Sequence, residues 1–181
     1  MDIAQKLHEI FHGSSRAHGS FTVDNSSLGK KTQGTAKTIK TAGASLKHWQ
    51  DHISGKEGLG VIPIDEENSV KWGAIDIDIY SLDLEKLVAR IEEFKLPLVV
   101  CRSKSGGAHV FCFLKQNAPA ADMQDKLREI AAGLGYGGVE IFPKQREVLV
   151  ERGDIGSWLN MPYFEGDDSL RYGFDVKGKA L

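Results

Sequence analysis

The sequence predicts an α+β fold, a mostly antiparallel sheet flanked by helices, and three patterns predict it. One is KWGAIDIDIY (71–80), an apolar stretch that alternates with a period of two. Another is a pair of amphipathic segments, 83–95 and 119–132, with apolar residues three and four apart. The third is LPLVVCRS followed by AHVFCFL, two apolar runs separated by KSGG that read as a hairpin closed on glycine. Helices laid against such a sheet give each element an apolar partner.

Taken in order, Ile3, Leu7, Ile10 and Phe11 predict a short helix over 2–12. Residues 13–44 are rich in Gly, Ser, Thr and Lys and lack apolar periodicity. They read as a long mobile loop with short strands around Phe21–Val23 and Thr38–Ile39. Ser45 caps a helix over 45–53, LGVIPI (59–64) reads as a buried strand, and DEEN turns the chain into 71–80. The 83–95 helix carries Leu84, Leu87, Val88, Ile91 and Phe94 on one face and stops before Pro97. The 119–132 helix opens at proline and runs into GLGYGG. VEIFP, EVLVE and GSWLNMPYF follow. Length and composition suit one domain over 1–181, with a basic front (1–58) and a core (59–181).

Net charge is −2, yet residues 1–60 hold 8 Lys/Arg against 5 Asp/Glu, and residues 61–181 hold 15 against 20. A basic front suits a polyanion and an acidic rear suits a cation. No stretch approaches a membrane span, and the N-terminus is too polar for a secretory signal. Cys101 and Cys112 offer no disulfide framework and read as buried free thiols of a reducing cytoplasm.

In an extended 71–80, Gly73, Ile75, Ile77 and Ile79 face one way and Trp72, Ala74, Asp76, Asp78 and Tyr80 the other. Asp76 and Asp78 then stand roughly 7 Å apart along one edge. Paired carboxylates suit Mg²⁺ or Mn²⁺; the bland alternative is an edge facing water. Because Ile79 and Tyr80 continue the run, both aspartates are expected inside the strand. Glu140, between Val139 and Ile141, is a third acid expected in an apolar setting, where a cation or an ion pair with Lys144 or Arg146 would relieve it. In RSKSGGAH, the turn Ser105-Gly106-Gly107 exposes amides suited to phosphate, Arg102 and Lys104 add charge, and His109 opens the next strand. A plain hairpin with a surface histidine is the alternative. GxxxxGK[ST] occurs nowhere in the chain.

These segments, in order, resemble the archaeo-eukaryotic primase superfamily. They are HWQDHISGKEGLGVIPI, VKWGAIDIDIY, VVCRSKSGGAHVFCF, and VEIFPKQREV with GSWLNMPYF behind it, spanning 48–164. The likeness is greatest to bacterial and phage primase-polymerases that include the primase domains of TOTE conflict systems. The resemblance implies a primase catalytic core, an RRM-like sheet with an N-terminal αβ lobe. It also implies a DNA primase or DNA-directed polymerase that makes primers or extends DNA from NTPs or dNTPs. Asp76, Asp78 and Glu140 would hold two Mg²⁺ or Mn²⁺ ions. Arg102, Ser103, Lys104, Ser105, Gly106, Gly107 and His109, with Lys144 and Gln145, would bind the nucleotide. Some relatives carry an aspartate where this chain has Arg146. Lys30, Lys31, Lys37, Lys40 and Lys47 would meet single-stranded DNA template; a solvated loop is the alternative. Relatives with zinc carry a cysteine cluster before the HWQDHISG segment; this chain has none there, so no structural zinc is expected. The expected setting is the cytoplasm of a bacterial or phage-infected cell, with a replicative helicase fused or associated. The rivals are a metal-dependent nuclease and a non-catalytic nucleic-acid-binding domain.

Overall fold

The computed structural model describes residues 2–23, 34–175, 177 and 179–181. Four α-helices and eight strands lie among them: α1 Ile3–Ile10, β1 His18–Val23, β2 Gly34–Ile39, α2 Leu46–Ile53, β3 Gly58–Val61, β4 Ser69–Ile77, α3 Leu84–Glu93, β5 Leu98–Arg102, β6 Ala108–Pro119, α4 Ala120–Gly133, β7 Glu140–Phe142 and β8 Leu159–Asn160. The strands form two antiparallel sheets, ordered β2-β1-β3-β8 and β5-β6-β4-β7. The α+β class and the β5–β6 hairpin follow the sequence pattern.

The expected loop over 13–44 is a correction. Its described part is largely a hairpin, with His18–Val23 paired in register against Ile39–Gly34. The short strands expected around Phe21–Val23 and Thr38–Ile39 lie within it; Gly19, Ser20, Gly34 and Thr35 are small or polar, so no apolar period marked the full length of the strands. Caps behave as the side chains require. Ser45 accepts from the His48 amide and His48 reaches back to Ser45, closing a capping box on α2. Asp83 accepts from the Lys86 amide at 2.9 Å and starts α3.

Both faces of β4 are covered. Ile75 and Ile77 pack with α3 and α4 through Leu87, Val88, Ile91, Met123 and Leu127. Trp72 and Ala74 join an aromatic cluster built on Phe11, Trp49 and Phe111. Phe11 stacks on Trp49 at 5.6 Å and meets Trp72 edge-on at 5.3 Å. The Trp72 indole donates to the His12 carbonyl at 2.8 Å. α1 and α2 are thereby fastened across the second sheet, and Asp76 follows Ala74 on the same face of β4. Both cysteines are free; burial pushes the Cys101 thiol up to about 12. Among the described residues, no helix is long and apolar enough to cross a membrane.

Candidate active site

Asp76 is the first polar residue on the aromatic side of β4, and the register sets its neighbours. It lies opposite His109 of β6 and opposite Glu140 of β7. The carboxyl is only 12% exposed, and its Oδ1 is buried without a hydrogen-bond partner. His109 Nε2 stands 3.4 Å away, inside ion-pair range, but makes no hydrogen bond to it. Burial, with the Arg171 charge adding to it, pulls His109 down to about 4, so the imidazole is neutral and supplies no counter-charge. Burial, reinforced by Asp78 and Glu140, pushes Asp76 up to about 7.

Asp78 departs from expectation. β4 ends at Ile77, paired with Ala108, and Asp78 is exposed in the following loop. The cause is the turn that enters β6: a Cβ on Gly107 would stand 2.0 Å from the Ile77 carbonyl oxygen. The turn therefore sits directly on the end of β4, and pairing stops there. Ser105 Oγ donates to Asp78 Oδ1 at 3.3 Å. Glu140 also departs: its side chain is 60% exposed and paired with Lys144 at 2.7 Å. Of the alternatives left by the sequence, the ion pair to Lys144 is the one formed, while Arg146 grips Asp125 of α4. Among the described residues, no three His, Cys, Asp or Glu side chains converge on one point as a ready metal cluster. The donors still fit a hard cation. An orphaned, desolvated carboxylate oxygen and a second carboxylate two residues on are what such an ion takes from protein, with water or phosphate filling its other positions.

The turn itself is held by Ser103 N donating to the Gly107 carbonyl at 3.0 Å and Gly106 N to the Ser103 carbonyl at 3.2 Å. Ser103 is buried, its Oγ 3.3 Å from that of Ser105. Lys104 reaches across to the first sheet, Nζ 3.2 Å from the centre of the Phe21 ring. Burial and the Arg171 charge lower its pKa. Arg171, which no sequence pattern singled out, lies half-buried over the Phe164 ring at 5.1 Å, and among the described residues no carboxylate is in ion-pair contact with it. Burial lowers its pKa too. Arg171 thus neighbours both Lys104 and His109, and His109 stands against the unsatisfied Asp76 carboxylate.

Several expected residues lie elsewhere. Arg102 pairs with Ala108, so it points to the α3 side of the sheet, into a cleft of about 630 Å³ that Asp76 and His109 do not line. Ser105 and Gly106 border that cleft as well. Lys144 is beside Asp76, and its charge opposes the rise in the Asp76 pKa. Gln145 is committed to structure: its amide donates to Ser157 Oγ at 2.9 Å and accepts from Ser157 N at 2.8 Å. Lys37 alternates with Thr38 on β2 and faces away from the Asp76 cleft, Lys40 is exposed, and Lys47 is paired with Asp51. Lys30 and Lys31 lie outside the described residues.

Residues 22–169 match the family model of the TOTE conflict system archaeo-eukaryotic primase domain. The chain belongs to that family. No curated protein matches it. The matched region of this primase domain begins at the last two residues of β1, ahead of the motifs, and so takes in β2, β3 and β8 of the first sheet as well as Asp76.

Proposed function

We propose that the chain is a template-directed primase-polymerase, a nucleotidyltransferase joining NTPs or dNTPs on single-stranded DNA. The observation that carries it is the Asp76 oxygen, buried and unpartnered with Asp78 and Glu140 as neighbours, beside a His109 that in turn neighbours Arg171. Such a carboxylate suits a cation, and Lys104 with Arg171 suits a polyanion. A nucleoside triphosphate with its divalent ion supplies both.

In this reading Asp76 and Asp78 hold Mg²⁺ or Mn²⁺, and Glu140 joins them when a phosphate draws Lys144 away. The chemistry supplied there, with the ions bound, is activation of the attacking 3′-hydroxyl and stabilisation of charge at the phosphate. The chain's own residues bind and orient. Lys104 and Arg171 take the phosphates, Ser105 and the Gly106-Gly107 backbone shape the turn around them, and neutral His109 offers an N–H donor without adding charge. Arg102 acts from the α3 side of the same turn. The finer architecture, an RRM-like second sheet with an N-terminal αβ lobe, belongs to this reading.

The test is incubation with single-stranded template, Mn²⁺ and labelled NTPs or dNTPs. Template-dependent product from the wild type, lost in Asp76→Asn, is expected. Shortening of the template without synthesis would instead establish the nuclease. Inert wild type and variant alike would leave a binding domain.

A further inference from the structure

The first sheet carries a second feature on the face that meets this cleft. Gly19 of β1 and Gly60 of β3 are cross-strand partners. A Cβ at either position would stand 2.2 Å from a carbon of the Trp158 indole. The ring therefore lies flat on bare backbone. It crosses β3 and β1 and donates its Nε1–H to Thr38 Oγ1 of β2 at 3.0 Å. Next to it, Phe21 lies over Gly34 in the same way, a Cβ there falling 2.2 Å from Phe21 Cζ. Side-chain alternation puts Gly19, Phe21, Gly60 and Asn160 on one face. The Asn160 backbone lies close enough to His109 to favour its protonated form, so β8 of this sheet adjoins the Asp76 site.

The two rings differ in what covers them. Phe21 is buried beneath the Lys104 ammonium. Trp158 is half-buried, and among the described residues no ring or cation stacks on it. It is nonetheless fixed on three sides, by the glycine floor, by Thr38, and by the Gln145 amide that grips Ser157 from both ends. A rigid indole, immobilised before any ligand arrives and bordered by a cation, is what base stacking requires.

The geometry points to Trp158 as a stacking plate for a base of single-stranded nucleic acid passing toward Asp76. The inference rests on the nucleotide-joining reading and adds the residue that seats the strand. A strand fits better than a free nucleotide for two reasons. The plate runs out to β2, whose residues 34–38 are exposed and which, among the described strands, is at the edge of the sheet. The cations suited to a triphosphate sit over Phe21 and Phe164, not over the indole.

Intrinsic fluorescence tests it directly, because Trp49 and Trp72 are both 0% exposed and Trp158 alone can be stacked upon. Oligothymidylate added without metal is expected to quench the wild type. Trp158→Ala should bind that strand roughly 5- to 150-fold more weakly, the usual range for one stacked base. The same variant should bind an abasic strand as the wild type does. Trp158→Phe keeps a ring on the glycine floor and should retain most of the base-dependent affinity. Equal loss for abasic and base-bearing strands, absence of quenching, or quenching by thymidine triphosphate alone would each overturn the assignment. Because binding is read without synthesis, a failure of Asp76→Asn to abolish nucleotide joining leaves this test intact, and the reverse holds too.

Discussion

Asp76→Asn is expected to make the metal-free protein more stable, although it removes the central residue of the proposed site. Burial, then Asp78 and Glu140, raise the Asp76 carboxyl from 3.8 to about 7. At about 1.4 kcal/mol for each tenfold change in proton affinity, the ionised form costs the fold up to roughly 4 kcal/mol. Only 12% of the side chain is exposed, so solvent screens little of this. Sharing of protons among three neighbouring carboxyls spreads the cost, and roughly 2–4 kcal/mol is the expected gain for the amide. The sign sets the pH window. The folded state keeps this proton longer than the unfolded chain, so the penalty is absent below about pH 4 and grows until about pH 7. Urea unfolding of both proteins in EDTA should show matching stabilities near pH 4 and a gap that opens fully by about pH 8. Mn²⁺ should then stabilise the wild type and leave the variant unmoved, because only the ionised carboxylate binds it. A variant no more stable than the wild type near pH 8 in EDTA would mean that Asp76 bears no strained charge, and the case for a cation there would fall.

His52 is buried, takes a hydrogen bond from the Leu59 amide at 2.9 Å, and gives one to the Pro162 carbonyl at 2.8 Å. His52→Ala should cost about 2–4 kcal/mol in urea unfolding near neutral pH. Burial lowers this histidine from its ordinary 6.5 to about 4, so the stability it lends is fully present above about pH 6.5 and is lost as pH falls toward 4. The variant should show a flatter acid limb than the wild type. Arg171→Gln removes the cation beside His109 and should weaken nucleoside triphosphate binding by about 1.5–3 kcal/mol, roughly 10- to 100-fold. Equilibrium binding of a labelled triphosphate measures it, and an unchanged affinity removes Arg171 from the site.

What the sequence made legible, and what it hid, divides along physical lines. The α3 and α4 helices and the β5–β6 hairpin bury aliphatic faces, so periodicity exposed them. The β1–β2 hairpin was legible only around Phe21–Val23 and Thr38–Ile39, because its strands also carry Gly34 and Gly19, which make room for Phe21 and Trp158. A rule that counts apolar residues scores such positions as loop, although the apolar surface is present and supplied from elsewhere in the chain. Side-chain direction was concealed for a related reason. Arg102 and His109 belong to one motif, but adjacent register positions send them to opposite faces of the sheet. Arg171 had no signal at all: its burial and its neighbours Lys104 and His109 come only from tertiary contact.

The DxD pair carries the same lesson furthest. Sequence spacing treated Asp76 and Asp78 as equals on one strand edge. The fold makes them different chemical groups, one desolvated inside β4 with its oxygen unsatisfied, the other in the loop and hydrogen-bonded to Ser105. Desolvation strengthens the pull of Asp76 on a cation, since water no longer competes for it, and exposure leaves Asp78 free to adjust to whatever Asp76 has bound. Gly107 produces that asymmetry by bringing the turn onto the Ile77 carbonyl and ending the strand between the two acids. Gly107→Ala should therefore disturb both halves of the site together, weakening Mn²⁺ binding and triphosphate binding in one substitution. Calorimetric titration with each ligand separately checks this. Loss of one affinity with the other preserved would show that the turn and the aspartates are independent.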